Sequence, residues 1–137
     1  MTVFVDDMRL PARVGRISAK WSHLYSDGDD AELHAFAAQL GLKRAWFQHP
    51  GKVTSHYDVT DSVRTKAIAM GAVPIGYMSR EALDIIHAKL DARNELLSQR
   101  EAHAMGLCVD CKDARHSPGR PRCEACHRDY MQPPTTG

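Results

Sequence analysis

No run of eighteen apolar residues occurs anywhere in this sequence of 137 residues, so no membrane-spanning helix is expected. The opening Met1-Thr2-Val3-Phe4-Val5-Asp6-Asp7 has neither a basic start nor a long apolar stretch, and so does not read as a signal peptide. An intracellular, reducing, cytoplasmic setting is therefore expected. An excess of one charge is also missing. Eighteen basic residues stand against 17 acidic ones, a formal charge of +1. That balance neither requires nor excludes nucleic acid, because a small zinc module can bind through a local basic face. Aromatic residues make up only 7% of the chain, so no single core can be large, and a metal staple would help. No internal repeat, P-loop, dinucleotide fingerprint or nucleophile motif is found.

What the sequence does have is most distinctive near its C-terminus. Cys108-Val109-Asp110-Cys111 and Cys123-Glu124-Ala125-Cys126 are two C-x2-C knuckles separated by eleven residues. Two intervening residues let both thiolates of a knuckle converge on one ion. Two knuckles then complete a tetrahedron with Zn–S near about 2.3 Å. With all four positions filled the site is closed, so one structural Zn2+ per chain is expected rather than a catalytic one. The loop between the knuckles contains the turn signal Ser117-Pro118-Gly119 and is too short and polar to fold without metal. A redox dithiol reading lacks a thioredoxin-like context, and His116 and His127 are alternative ligands only if a cysteine is displaced. Lys112, Arg115, Arg120, Arg122, Arg128 and Tyr130 could grip nucleic acid. Asp110, Asp113, Glu124 and Asp129 nearly cancel those charges, so a plain solvated surface or a protein-contact face fits equally well.

Residues 1–78 read as a small α/β domain. Thr2 to Val5 is a β-rich run, residues 8–20 read as irregular with Pro11 and Gly15 as breakers, and Trp21 to Tyr25 reads as a second strand. Asp29 with Glu32 resembles a capping box, and Leu33, Phe36, Ala37 and Leu40 form a helical stripe that Gly41 ends. Arg44 to Gln48 reads as a third strand, on which one of Trp46 and Phe47 is core and the other exposed. His49-Pro50-Gly51-Lys52 is a turn. Thr60 or Asp61 caps a second helix carrying Val63, Ala67 and Met70, and Gly71 ends it. Ala72-Val73-Pro74-Ile75 is a fourth strand, at a sheet edge because of Pro74. The expected fold is therefore α/β, a small sheet of about four short strands with two packed helices and at least one parallel crossover. Residues 79–105 follow as a long helix of about 25 residues, or about 37 Å, capped by Ser79. It would pack across the α/β unit, act as a strut, or pair with another helix. The zinc ribbon occupies 106–130 and a disordered tail 131–137.

Eight histidines raise the question of a second site. Asp6 and Asp7 end the first strand, His23 lies in the second, His49 follows the third, and His56-Tyr57-Asp58 precedes the second helix. Sites form beyond the carboxyl ends of parallel strands, and paired carboxylates with histidines can bind a divalent metal or do acid–base work. Each piece has a plainer reading. Asp-Asp is a common turn and cap, a strand histidine is often structural, and His34 reads as a boundary residue. Three functions are open. The chain could bind a nucleic acid or a phosphate-bearing ligand through Arg9, Arg13, Arg16, Lys20 and Lys52. It could be a metal-dependent hydrolase or nuclease using Asp6, Asp7, Asp58 and the histidines. It could also be an adaptor acting on a host protein through the ribbon and long helix.

Val5-Asp6-Asp7-Met8, Trp21-Ser22-His23-Leu24, Glu32-Leu33-His34, Arg44-Ala45-Trp46-Phe47-Gln48, His56-Tyr57-Asp58-Val59, Lys66-Ala67-Ile68-Ala69 and Gly71-Ala72-Val73 come in an order that resembles the domain of unknown function 4031. That family occurs in bacteria and bacteriophages. The resemblance covers about residues 1–78 and implies a small α/β fold, a phage or actinobacterial setting (hence the host cytoplasm if phage-encoded) and no particular activity. The family's recurrent polar positions fall on Asp6, Asp7, His23, His34, Arg44, Gln48, His56, Tyr57, Asp58 and Lys66. The helix and cysteine module extend beyond the short form of the family.

Overall fold

The computed structural model describes residues 2–132; the expected disordered tail lies outside the described residues from residue 133 onward. The chain divides into two compact units, Met1–Leu90 and Asp91–Gly137.

The first unit is built on a mixed sheet of β1 (Val3–Val5), β2 (Leu10–Val14), β3 (Ile17–Ser26), β4 (Tyr57–Thr60) and β5 (Val73–Pro74). β3 is antiparallel to β1, β2 and β4, whereas β1 and β5 run parallel. The parallel pair supplies the expected crossover, and Pro74 lies on an edge strand as its missing N–H requires. The helices are α1 (Asp30–Gln39), α2 (Asp61–Ala69) and the first part of α3 (Arg80–Ala104).

Strand alternation sorts the side chains between two faces. Val3 and Val5 of β1, Leu24 of β3, and Tyr57 and Val59 of β4 are buried on one face, where Leu33 and Ala37 of α1 and Ala67 of α2 meet them. Leu24 and Leu33 are fully enclosed, each contributing about 1.5–3 kcal/mol by burial. Phe4, His23, Tyr25 and Asp58 occupy the opposite face, because they alternate with those core residues.

Local signals set the helix ends. Asp29 accepts from the Ala31 backbone N–H at 2.8 Å, and Gly41, at φ +81°, follows the last turn of α1. Thr60 Oγ1 accepts from Val63 N–H at 3.4 Å at the start of α2. Ser79 Oγ accepts from Ala82 N–H at 3.2 Å at the start of α3, which runs for 25 residues.

Three segments differ from the sequence reading. Residues 8–20 are not irregular: β2 and the first half of β3 form a hairpin, with Val14 paired to Ile17. Pro11 is tolerated because β2 is an edge strand, and Gly15, at φ +61°, takes the first central position of the two-residue loop. Arg44 to Gln48 is not a strand. Arg44–Trp46 closes a 3-10 turn through Trp46 N–H to Lys43 O at 2.9 Å and Phe47 N–H to Arg44 O at 3.1 Å. Phe47 packs on the core and Trp46 is half exposed, so the segment has one apolar anchor instead of an alternating face. Finally, Tyr57 to Thr60 is a strand, its Tyr57/Val59 alternation pointing into the core.

The second unit contains the C-terminal half of α3, a single β-bridge between Leu107 and Arg115, and α4 (Glu124–Met131). Its buried apolar residues are Ala102, Val109, Cys108 and Cys123 among the described residues, so cysteine sulfur forms much of its interior. No helix among the described residues is long and apolar enough to cross a membrane.

Candidate functional site

Cys108, Cys111, Cys123 and Cys126 form one cluster, with all four sulfurs within 4.8 Å of one another. The Cys111–Cys123 Sγ separation is 4.0 Å. Sulfurs at about 2.3 Å from a tetrahedral ion lie about 3.8 Å apart, so the residues fit a metal ion with little movement. Burial pushes the Cys108 thiol up, but the backbone N–H groups of Cys123, Cys111 and Asp110 outweigh it and bring the pKa down to about 6. Cys126 moves the other way, to about 12, through its contact with Cys123, burial, and the neighbouring sulfurs of Cys108 and Cys111. Thiols sharing one space cannot all ionise without a cation among them. Two of the basic residues around the cluster have acidic or aromatic partners. Arg122 meets Asp110 at 2.6 Å, and its guanidinium lies 4.0 Å from the centre of the Tyr130 ring. Lys112 meets Glu95 at 3.2 Å.

The second group lies on the non-core face of the sheet in the first unit. Register brings it together. His23 of β3 pairs directly with Asp58 of β4, and His56 bridges to Gln48 just ahead of that strand. Paired residues, and those two apart, share a face. One atom from each of His23, His56 and Asp58 falls within a 4.8 Å span. His56 Nε2 already stands 3.3 Å from Asp58 Oδ1. Ligands at about 2.1 Å from an ion are about 3.0–3.4 Å apart, so this pair is at ligand spacing and His23 has a short way to close.

The outer contact of each of these three side chains is fixed. Asp6, only 4% exposed, places Oδ2 2.7 Å from His23 Nδ1 and receives the His23 and Met8 backbone N–H groups on Oδ1, at 2.9 and 3.2 Å. His56 Nδ1 lies 2.8 Å from the Thr54 carbonyl oxygen. Carbonyl and carboxylate oxygens accept, so both Nδ1 atoms carry the proton; His23 Nε2 is left with its lone pair, whereas His56 Nε2 faces Asp58 Oδ1 and would hold an ion only after giving up the proton it shares with that carboxylate. Gln48 Nε2 donates to the other Asp58 oxygen. Burial draws the His56 pKa down, but Asp58 and the Thr54 carbonyl overcome it and the net shift is upward. The hydrogen bond from His56 lowers Asp58 against burial, with Gln48 and His23 adding to the effect.

The other candidates separate. Asp6 is an orienting partner of His23. Asp7 does not join the group; its Oδ1 accepts from Tyr77 N–H at 2.6 Å and so ties down the segment before α3. The Tyr77 ring stacks on His23 at 5.8 Å. His49 borders the group, with its ring 5.1 Å from that of His56 and Nδ1 3.1 Å from Thr54 Oγ1. Its φ of +54° is a left-handed conformation that a non-glycine residue adopts at a cost of about 1–3 kcal/mol. His34 is not at this site, since its Nδ1 meets the Tyr57 hydroxyl at 2.7 Å beside Phe47. Arg9 is paired with Asp61 at 2.7 Å. Sequence reasoning missed the Thr54 carbonyl and Tyr77 as site components; Gln48 was visible only as a family position.

Two concavities meet at the group, and His23, His49 and His56 border both. One, of about 230 Å³, opens between the sheet and the start of α3, with Tyr25, Met78, Leu83 and Ile86 among its walls. The other, of about 340 Å³, is bounded by Trp21, Gln48 and Asp58 and by the β2 side chains.

These features define a small mixed α/β domain with a histidine–carboxylate group at a cleft, joined to a four-cysteine module. The family described as "Protein of unknown function (DUF4031)" matches residues 3–89, and the chain belongs to that family. The match runs beyond residue 78 into α3, includes the whole histidine–carboxylate group, and ends before the cysteines. No curated protein and no solved structure matches the chain.

Proposed function

We propose that the first unit is a metal-dependent hydrolase in which His23, His56 and Asp58 hold a divalent transition-metal ion, and that the cysteines hold a structural zinc ion. The observation that carries this reading is the set of outer hydrogen bonds. Asp6 orients His23, the Thr54 carbonyl orients His56, and Gln48 orients Asp58. Outer partners of this kind fix the tautomer and aim of metal ligands. Three protein ligands leave a coordination position open, whereas four cysteines leave none. An ion held at the open site supplies Lewis acidity to a water molecule or to a substrate oxygen. His49, at the border of both concavities, would move a proton to or from the reacting groups.

The reading of the chain as a binder of nucleic acid or phosphate has less support, because Arg9 and Arg122 are committed to Asp61 and Asp110. Four thiolates on one zinc ion suit a reducing compartment such as the cytoplasm.

Cobalt substitution tests the proposal. Wild-type protein should bind two equivalents, one with thiolate-to-cobalt charge-transfer absorption and one without it. His56→Ala should lose only the second. Cobalt binding confined to the cysteines in wild type would sink the hydrolase reading.

A further inference from the structure

We infer that the metal centre proposed above takes a neutral carboxylic amide or ester with a small apolar acyl group, and not a phosphate ester; the inference rests on the hydrolase reading. Charge carries the first part of the argument. Among the described residues, no lysine or arginine lines either concavity. Three cations of the same unit are engaged elsewhere: Arg9 on Asp61, Arg64 on the Asp6 backbone carbonyl at 2.8 Å, and Lys89 on the Ser26 carbonyl at 3.0 Å. Asp6 and Asp58 already bring negative charge to the site. A phosphate ester would add more, with a single ion to offset it, whereas phosphoryl-transfer sites surround the transferred group with several cationic donors.

The shape of the site carries the second part. The smaller concavity is walled by Tyr25, Val53, Met78, Leu83 and Ile86, and its volume of about 230 Å³ lies below the range of about 300–1,000 Å³ usual for ligand sites. It suits a short aliphatic or ring substituent. Because His23, His49 and His56 border both concavities, a carbonyl carbon held at the group can place its acyl substituent in the smaller and more apolar of the two. Its leaving group then lies on the side of Gln48 and Trp21.

The reaction needs only water as co-reactant. The water oxygen bonds to the carbonyl carbon and the C–N or C–O bond breaks. One water proton passes to the departing nitrogen or oxygen, and the other ionises from the new carboxylic acid.

The test uses the full chain loaded with zinc or manganese, given p-nitrophenyl acetate, p-nitrophenyl butyrate, p-nitrophenyl phosphate and bis(p-nitrophenyl) phosphate. Both carboxylic esters should be cleaved in a chelator-sensitive way that His56→Ala abolishes. The butyrate should be preferred, and Ile86→Ala should reduce that preference about tenfold, as expected for a few methylenes in an apolar pocket. Metal-dependent cleavage of the phosphate esters alone would overturn the substrate class and leave the hydrolase reading standing. Bound metal at the histidine–carboxylate group with no cleavage of any of the four would overturn both.

Discussion

Cys108, Cys111, Cys123 and Cys126 come from one short stretch of chain, whereas Asp6, His23, His56 and Asp58 are brought together by sheet register from β3, β4 and the residues just after β1 and just before β4. The two groups also differ in what surrounds them. Two of the cysteines, Cys108 and Cys123, form much of the interior of a unit with little else to bury among the described residues, and the histidines lie on the outer face of a sheet whose core is complete without them. A ligand set that substitutes for a core should fail together with its fold. A ligand set resting on a finished core should be removable without unfolding.

The largest expected effect follows directly. Cys108→Ser/Cys123→Ser should abolish hydrogen-exchange protection across 106–131 and leave protection of β1, β3 and β4 intact. Structural zinc in small modules is worth about 10–16 kcal/mol of apparent binding free energy at neutral pH, far more than this unit's apolar burial can replace. Persistent protection of α4 in that variant would erase the distinction.

Next in size is Leu33→Ala, which removes a fully buried side chain between α1 and the sheet. Denaturant unfolding of the first unit should lose about 2–5 kcal/mol while one equivalent of metal stays on the cysteines. Loss of both metals under native conditions would mean that the two regions fold as one.

Asp6→Asn should then weaken metal binding at the histidine group by about 10–100-fold, measured by competition with a chelating dye, with an unchanged melting transition for the second unit. The smallest effect belongs to its neighbour. Asp7→Asn leaves only a neutral acceptor for Tyr77 N–H in this exposed contact and should leave metal affinity unchanged, with only faster exchange around Tyr77. Equal effects from the two substitutions would contradict the assignment of Asp6 alone to His23.

The same contrast explains what could be read from the sequence. The cysteine spacing, the Asp29 and Thr60 caps and the whole of α3 depend on residues a few positions apart, so each was legible. The hairpin of β2 and β3 was not, because Pro11 and Gly15 have the same composition signature in a loop as in an edge strand and its turn. The strand from Tyr57 to Thr60 was hidden because its alternation means little until β3 is beside it. Asp6 and Asp7 are indistinguishable as a dipeptide; the two-residue period of the sheet sends one to His23 and the other to Tyr77. The Thr54 carbonyl is a backbone atom and leaves no mark in a sequence at all.

Metal content per chain, determined by elemental analysis on protein saturated with zinc and desalted, tests the central claim most directly. Wild type, the double cysteine variant and His56→Ala/Asp58→Ala should carry two, one and one equivalents, the single ion remaining on a different group in each variant. One equivalent in wild type, kept by His56→Ala/Asp58→Ala and lost with the cysteines, would contradict it.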